Sequence, residues 1–136
     1  MEPVRGPIKV LIVEDDLEMA MTIEEAAMAG GYEVCGHARN AIEAARLAEH
    51  VDVAIVDIHL DEEDGTAIGK MLSERWNVTV LFATASPEIV SKGFPGAVGV
   101  VAKPLSGAEV VAALDYAAAR RSGESLVPPP SLVGFA

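Results

Sequence analysis

Short apolar runs alternate along this chain with longer segments of helical periodicity. Most of the runs consist of valine, isoleucine, leucine and alanine without polar alternation, which is typical of strands buried on both faces of a parallel sheet. One further run alternates loosely. Together they predict five strands, at residues 8–13, 32–38, 53–57, 78–83 and 98–102.

Helix-forming segments separate these strands. Gly30 and Gly31 supply a stop after the first, Asn40 is a candidate N-cap for the second, and Ser106 with Glu109 forms a capping box before the last. The predicted helices cover residues 16–29, 41–48, 66–76 and 106–121.

A further helix is predicted to begin near Ser86. Ser86 and Pro87 are typical of an N-cap and a first helical position. Gly93, Pro95 and Gly96 must end the helix within about two turns, because proline cannot continue it. We therefore expect this helix to be short or irregular.

The predicted order is a strand followed by a helix, repeated five times. Because crossovers between parallel strands are right-handed, this order predicts an α/β fold, a doubly wound five-stranded parallel sheet with helices on both faces. Residues 1–7 are expected to form a lead, and residues 8–121 the domain. The proline-rich remainder, 122–136, lacks packing signals and is expected to be a disordered arm or a segment pinned to the surface.

Composition narrows the class of protein. A chain of 136 residues is expected to form one domain, and its 51% hydrophobic residues can fill a core. The formal net charge of −11 argues against a nucleic-acid partner, since phosphates would repel so acidic a chain. No apolar stretch approaches the ~18 residues of a membrane span. The single cysteine, Cys35, fits a reducing compartment, so we expect a cytoplasmic protein with no membrane partner.

Polar residues follow four of the five predicted strands. Glu14 and Asp15 come after the first, Asp57 ends the third, Thr84 follows the fourth and Lys103 the fifth. The carboxyl ends of parallel strands lie at one edge of the sheet, so these side chains are expected to meet there. Three carboxylates so close would repel one another unless a cation joined them, and an oxygen-only ligand set suits Mg²⁺.

Thr84 and Lys103 add a hydroxyl donor and a mobile positive charge, the groups needed to hold an anion. An Asp57 carboxylate between a metal ion and a lysine can attack phosphorus and form an acyl phosphate. Taken singly, each residue has a plainer interpretation, such as a helix N-cap for Asp57, a strand-end hydroxyl for Thr84 and a surface charge for Lys103. Their joint position at successive strand ends favours the chemical interpretation.

These residues resemble the receiver domain of bacterial two-component response regulators, which implies a flavodoxin-like (βα)5 fold. The matching motifs are Val13-Glu14-Asp15-Asp16, Val56-Asp57 with Gly65 eight residues later, Ala83-Thr84-Ala85 and Lys103-Pro104. The match runs from about residue 8 to residue 121. The combination is far more specific than any single motif.

The resemblance implies a role for each matching residue. Asp57 would be the phosphoacceptor, Thr84 and Lys103 would contact the phosphoryl group, and the bond between Lys103 and Pro104 would be cis. A Mg²⁺ or Mn²⁺ ion would have Asp15 as a direct ligand. The other implied ligands are Glu14, Asp57 and the backbone carbonyl of His59.

Two departures from the family pattern bear on signalling. Most receivers carry a switching tyrosine or phenylalanine three residues before the lysine, where this chain has Val100, so an aromatic switch at that position is not expected. The segment between Thr84 and Lys103 is also a few residues short. With Phe82-Ala83-Thr84, these features resemble a subfamily of single-domain receivers that carry a Phe-Ala-Thr motif and pair with histidine kinases of the His-Trp-Glu class.

The resemblance implies a stand-alone phosphoacceptor rather than an enzyme. A sensor histidine kinase would donate a phosphoryl group to Asp57 in a Mg²⁺-dependent reaction. The modified domain would then signal through contacts with a downstream protein, or act as a phosphorelay intermediate or phosphate sink. His59 and Ser86, two residues past Asp57 and Thr84, would flank the attacking water and tune the lifetime of the phosphorylated state.

Two alternatives stay open. One is a receiver-like binding module that is never phosphorylated. The other is a metal-dependent phosphatase with an aspartyl nucleophile. Such enzymes commonly need a second aspartate two residues after the first, where this chain has His59, and they carry a cap domain, which is not expected here.

Overall fold

The computed structural model describes residues 6–61, 63–86 and 93–135. Within them the predicted alternation of strands and helices is confirmed. The strands are β1 (Lys9–Val13), β2 (Glu33–Ala38), β3 (Val53–Asp57), β4 (Thr79–Thr84), β5 (Ala97–Ala102) and β6 (Leu132–Gly134). The helices are α1 (Leu17–Ala29), α2 (Ala41–Leu47), α3 (Gly65–Trp76) and α4 (Gly107–Arg121). The short helix predicted after Ser86 falls on residues 87–92, outside the described ranges.

The strands form one sheet in the order β2-β1-β3-β4-β5-β6. The first five are parallel, as predicted, and β6 is antiparallel to β5. The direction in which strands are added reverses between β1 and β3, and such a switch point leaves a crevice beyond the carboxyl ends of the strands. None of the helices in the described ranges has the length and apolar character needed to cross a membrane.

Helices cover both faces of the sheet because both faces of its central strands are apolar. Successive residues of a strand point to opposite faces. Accordingly Leu11 packs in the cluster on the α2 and α3 side, while Val10 and Ile12 pack in the cluster on the α1 and α4 side. All five residues of β3 are buried. This sandwich fixes the positions of the strand ends, and with them the polar residues that follow.

A glycine in the first position of α3 allows the connection from β3 to α3 to pack closely against the end of β3. Asp64 is the N-cap of α3, so Asp57 ends its strand and is not a helix cap. Gly65 lies against the backbone of the strand end: a Cβ atom built there would overlap the carbonyl oxygen of Asp57 and lie 2.8 Å from the Cα of Ile58. Only glycine fits this approach, which brings the loop after β3 back against Asp57.

The C-terminal segment is pinned to the domain, which was one of the two expected states, although its sequence shows no packing signals. Within the described residues it crosses to the edge of the sheet and adds β6, with Val133 opposite Val100. Leu132 and Phe135 are only 5% and 6% exposed. The sheet therefore has six strands where five were predicted. The signal was weak because three strand residues directly follow a proline-rich stretch.

Candidate functional site

Three carboxylates meet at the carboxyl ends of two neighbouring strands, β1 and β3. Glu14 follows β1, Asp57 ends β3, and Asp15 follows Glu14. One oxygen from each lies within 4.8 Å of the others. Glu14 and Asp57 are buried, with 2% and 5% of their surfaces exposed, whereas Asp15 is half-buried. The predicted clustering of these acids is what the parallel topology produces.

The Lys103 amine lies between two of these acids. Its Nζ is 2.6 Å from Oε1 of Glu14 and 3.3 Å from Oδ2 of Asp57, and 18% of the lysine side chain is exposed. Lys103 is reached from the end of β5, two strands away from Asp57 across β4. The lysine therefore offsets part of the negative charge that the acids concentrate at this edge.

Burial dominates the electrostatics of Glu14. It raises the pKa of this carboxyl to about 7, and the neighbouring Asp57 acts in the same direction, while Lys103 offsets part of the effect. For Lys103, burial alone would lower the pKa, but the hydrogen bond to Glu14 and the charges of Glu14 and Asp57 outweigh it and raise the pKa. The lysine is consequently held as a cation, and Glu14 loses its charge more readily than an ordinary glutamate.

Backbone amides hold the three carboxylates in place. The amide of His59 donates to Oδ1 of Asp57 at 3.1 Å, and the amide of Asp61 donates to Oδ2 of Asp15 at 2.7 Å. The amide of Asp16 donates to Oε2 of Glu14 at 3.3 Å. Each acid thus has one oxygen fixed by the backbone, so the cluster is preorganised by the loops after β1 and β3.

Thr84 and Ser86 lie at the end of β4. Thr84 is 1% exposed, and its hydroxyl oxygen accepts a hydrogen bond from the amide of Ser86 at 3.1 Å. The carbonyl oxygen of Thr84 accepts from the amide of Lys103 at 2.8 Å, which ties the ends of β4 and β5 together. The two residues predicted to hold an anion are therefore neighbours through their backbones.

The other predicted site residues take different positions. His59 is exposed, with its backbone amide on Asp57, and the Lys103–Pro104 bond is cis. Val100 is fully buried in the core, three residues before Lys103, and its side chain packs in the same cluster as Phe135. Val100 thus contributes packing, and the chain supplies an aromatic ring to that cluster from its C-terminal segment.

Glu63 makes a hydrogen bond that was not predicted from the sequence. Its two carboxylate oxygens accept from the amide of Ala41 at 3.1 and 3.3 Å, next to Asn40, the N-cap of α2. This contact fastens the loop after β3 to the start of α2 and supports the loop that carries His59 and Asp61. The spacing of 22 residues between the partners gives no local pattern, so no sequence signal pointed to it.

The residues present fit a hard divalent cation. The three clustered carboxylates supply only oxygen donors, and Mg²⁺ prefers oxygen ligands and few protein carboxylates. The raised pKa of Glu14 also indicates a cation site. Burial disfavours the charged form of this carboxylate, and a bound cation would favour it. Lys103 supplies one positive charge against three carboxylates, so a bound cation would offset part of the remaining negative charge.

The fold and this cluster define the family. The family model described as the response regulator receiver domain matches residues 10–115, so the chain belongs to that family. Receiver domains are signalling modules of two-component systems that interact with histidine kinases and downstream partners. The predicted resemblance to receiver domains and the predicted α/β fold class are thereby confirmed.

Individual relatives agree with this assignment. The chain is 32% identical to the transcriptional regulatory protein PdtaR of Mycobacterium tuberculosis over 119 residues, which cover 84% of this chain and 58% of PdtaR. It is 28% identical to the chemotaxis protein CheY of Listeria monocytogenes over 117 residues, 82% of this chain and 98% of CheY. The crystal structure of the response regulator PhyR from Brucella abortus superposes with a TM-score of 0.76 at 28% identity, covering 86% of this chain and 50% of PhyR.

The chain thus spans little more than half the length of PdtaR, the relative with the highest of these identities. What PdtaR and PhyR do through their remaining segments belongs to those proteins.

Proposed function

We propose that this receiver accepts a phosphoryl group on Asp57 in a Mg²⁺-dependent reaction and passes the signal on through altered protein contacts. The observation that carries the proposal is the position of the Lys103 amine, within 3.3 Å of Asp57, at the rim of a cluster of three carboxylates. A lysine and an acid pair around a strand-end aspartate is the arrangement that an acyl phosphate needs to form and persist.

The chemistry assigns one role to each group. An oxygen of Asp57 attacks phosphorus, a P–O or P–N bond to the donor breaks, and the donor leaves with the electron pair of that bond. Glu14, Asp15, Asp57 and the carbonyl of His59 would hold the metal ion, which neutralises charge on the transferring phosphoryl oxygens. Lys103 and the Thr84 hydroxyl would contact those oxygens after transfer, with Lys103 leaving Glu14 for the new anion.

The proposed donor is the phosphohistidine of a sensor histidine kinase, of the His-Trp-Glu class if the Phe82-Ala83-Thr84 motif marks the subfamily. Leu17 and Met21, 60% and 49% exposed on α1 directly after the acid pair, support a protein partner at this edge. The proposed output is a downstream protein or a phosphotransfer protein. The chain acts as a substrate and switch that catalyses only its own phosphorylation and dephosphorylation.

Acetyl phosphate with Mg²⁺ tests the proposal without knowledge of the kinase. Intact mass spectrometry should show a single phosphoryl adduct on the wild-type chain and none on Asp57→Asn or in the presence of EDTA. Asp16→Asn is the matched control, because Asp16 lies beside the cluster and asparagine retains its capping of α1. An adduct that persists in Asp57→Asn, or none on any variant, refutes the assignment of Asp57. The second result favours a receiver-like binding module that is not phosphorylated.

A further inference from the structure

The chain closes one edge of its sheet with its own C-terminal segment. We call residues 131–135 the C-terminal strap. The strap runs antiparallel to β5, with Val133 opposite Val100 and Leu132 opposite Val101. Backbone hydrogen bonds join its two ends to the strand: the Ala102 amide donates to the carbonyl of Ser131 at 3.0 Å, and the Phe135 amide donates to the carbonyl of Val98 at 2.9 Å.

Two side chains anchor the strap, one on each face of the sheet. Leu132 enters the cluster on the α1 and α4 side, and Phe135 enters the cluster that contains Val100 on the opposite side. Arg120 of α4 clamps the end of the strap, because its Nη1 donates to the Phe135 carbonyl at 2.7 Å and to the Tyr116 hydroxyl at 2.9 Å.

The fit depends on a glycine in β5. A Cβ atom built on Gly99 would lie 2.8 Å from the carbonyl oxygen of Val133 and 3.0 Å from a methyl group of Leu132. A side chain at position 99 would therefore push the strap off the strand. Release of the strap would uncover the edge of β5 and the space that Phe135 fills.

The strap also connects to the functional site through one residue. Ala102, which pairs with Ser131, is followed directly by Lys103, whose amine binds Glu14 and approaches Asp57. The Lys103 amide in turn bonds to Thr84. A shift of Lys103 from Glu14 towards a new anion on Asp57 would therefore pull on the end of β5 at the point where the strap begins.

We propose that the C-terminal strap is a detachable strand coupled to the state of Asp57: it pairs with β5 while Lys103 rests on Glu14, and it loosens when a phosphoryl group draws the lysine away. The inference rests on the proposed function, since it needs Asp57 to be the acceptor. The coupling is reciprocal, so loosening the strap should also favour the modified state.

Amide hydrogen exchange of the full chain with beryllofluoride and Mg²⁺, which together stand in for a phosphoryl group, tests the coupling. The Ala102 and Phe135 amides should exchange about fivefold faster in the presence of the probe, a typical size for coupling between sites. The Asp52 amide, which donates to Lys9 at the far end of the sheet, should not change. Binding of the probe with unchanged exchange at Ala102 and Phe135 overturns the strap proposal alone. Failure of the probe to bind overturns the proposed function and the coupling with it.

Variants test the reverse direction. Phe135→Ala removes an anchor and Gly99→Ala obstructs pairing, and each should tighten beryllofluoride binding by about fivefold. Val133→Ala is the matched control, because Val133 is 43% exposed on the same strand, and its affinity should stay within twofold of wild type. If circular dichroism shows that either Phe135→Ala or Gly99→Ala is unfolded, the affinity of the other variant tests the proposal. If the folded variants bind beryllofluoride with wild-type affinity, the proposal is wrong.

Discussion

The Lys103 amine lies 2.6 Å from Glu14, nearer than its 3.3 Å distance from Asp57. The lysine is thus held mainly by Glu14, and its contact with Oδ2 of Asp57 is the longer of the two. This arrangement lowers the stability of the fold, because the positive charge of one lysine does not balance the negative charge of three clustered carboxylates. Functional sites of this kind are locally destabilising when their ligands are absent.

Replacement of Asp57 by asparagine should therefore stabilise the chain. Asp57→Asn keeps the shape of the side chain and removes one of the charges that raise the pKa of Glu14. We expect the free energy of unfolding to rise by about 1 kcal/mol in buffer without divalent ions, on the order of one pKa unit of interaction. Urea unfolding measures the difference. Asp16→Asn, an exposed change, should remain within about 0.5 kcal/mol of wild type, and a loss of stability in Asp57→Asn contradicts the prediction.

Gly65→Ala should distort the site. Its Cβ would overlap the carbonyl oxygen of Asp57, so the loop and the strand end must separate. We expect a loss of about 3 kcal/mol, the upper end of overpacking effects, and a lower rate of phosphorylation by acetyl phosphate. Gly107→Ala is the matched control, because a Cβ there meets only the Cβ of Ala26 at 3.7 Å. Equal stability of the two variants would show that the contact at Gly65 relaxes freely.

Mg²⁺ affinity should depend on pH through Glu14. Burial raises its pKa to about 7, so Glu14 is a charged ligand above that pH and becomes protonated as the pH falls through it. Proton competition at one such group should weaken Mg²⁺ binding by about tenfold between pH 8 and pH 6. Isothermal titration calorimetry measures the change. Glu14→Gln should bind Mg²⁺ weakly at both pH values without this slope, and an equal slope in the variant would assign the effect to another group.

His59 should affect the lifetime of the phosphorylated state. Its amide is fixed to Asp57 at 3.1 Å, so the residue lies next to the acceptor carboxylate in the chain and its exposed side chain is open to solvent at this edge. His59→Ala is expected to slow dephosphorylation by roughly tenfold, less than a buried general base provides. Decay of the adduct is followed by mass spectrometry after removal of acetyl phosphate. His50→Ala, an exposed histidine in the connection from α2 to β3, is the control, and indistinguishable decay in all three proteins rejects the role.

The sequence was sufficient for the parts of the fold that obey local rules. Apolar runs without alternation predicted β1, β3 and β4 because these strands are covered on both faces. Asn40 and Ser106 predicted helix starts because a capping side chain acts within three residues, and both cap as expected. The meeting of Glu14, Asp57 and Lys103 followed from parallel topology alone, since that topology brings strand ends to one edge.

Contacts between segments that are distant along the chain could not be predicted from the sequence. The bond from Ala41 to Glu63 and the clamp of Arg120 on Phe135 depend on how loops and helices pack, and the residues involved have ordinary surface roles in most chains. The strap was missed for a related reason. Its pairing is specified by an exposed strand edge and by Gly99, neither of which can be identified before the sheet is assembled.

Lys103 and Glu14 are separated by 89 residues along the chain. Glu14 follows β1 and Lys103 follows β5, and two further strands, β3 and β4, lie between these in the sheet. Such non-local pairings form late and slowly compared with helices. A ribosome-bound chain that has not yet released β5 would therefore hold its acids without the lysine that neutralises them. Competence to bind a divalent ion and an anion together is therefore acquired only once β5 has joined the sheet and brought Lys103 to the acids.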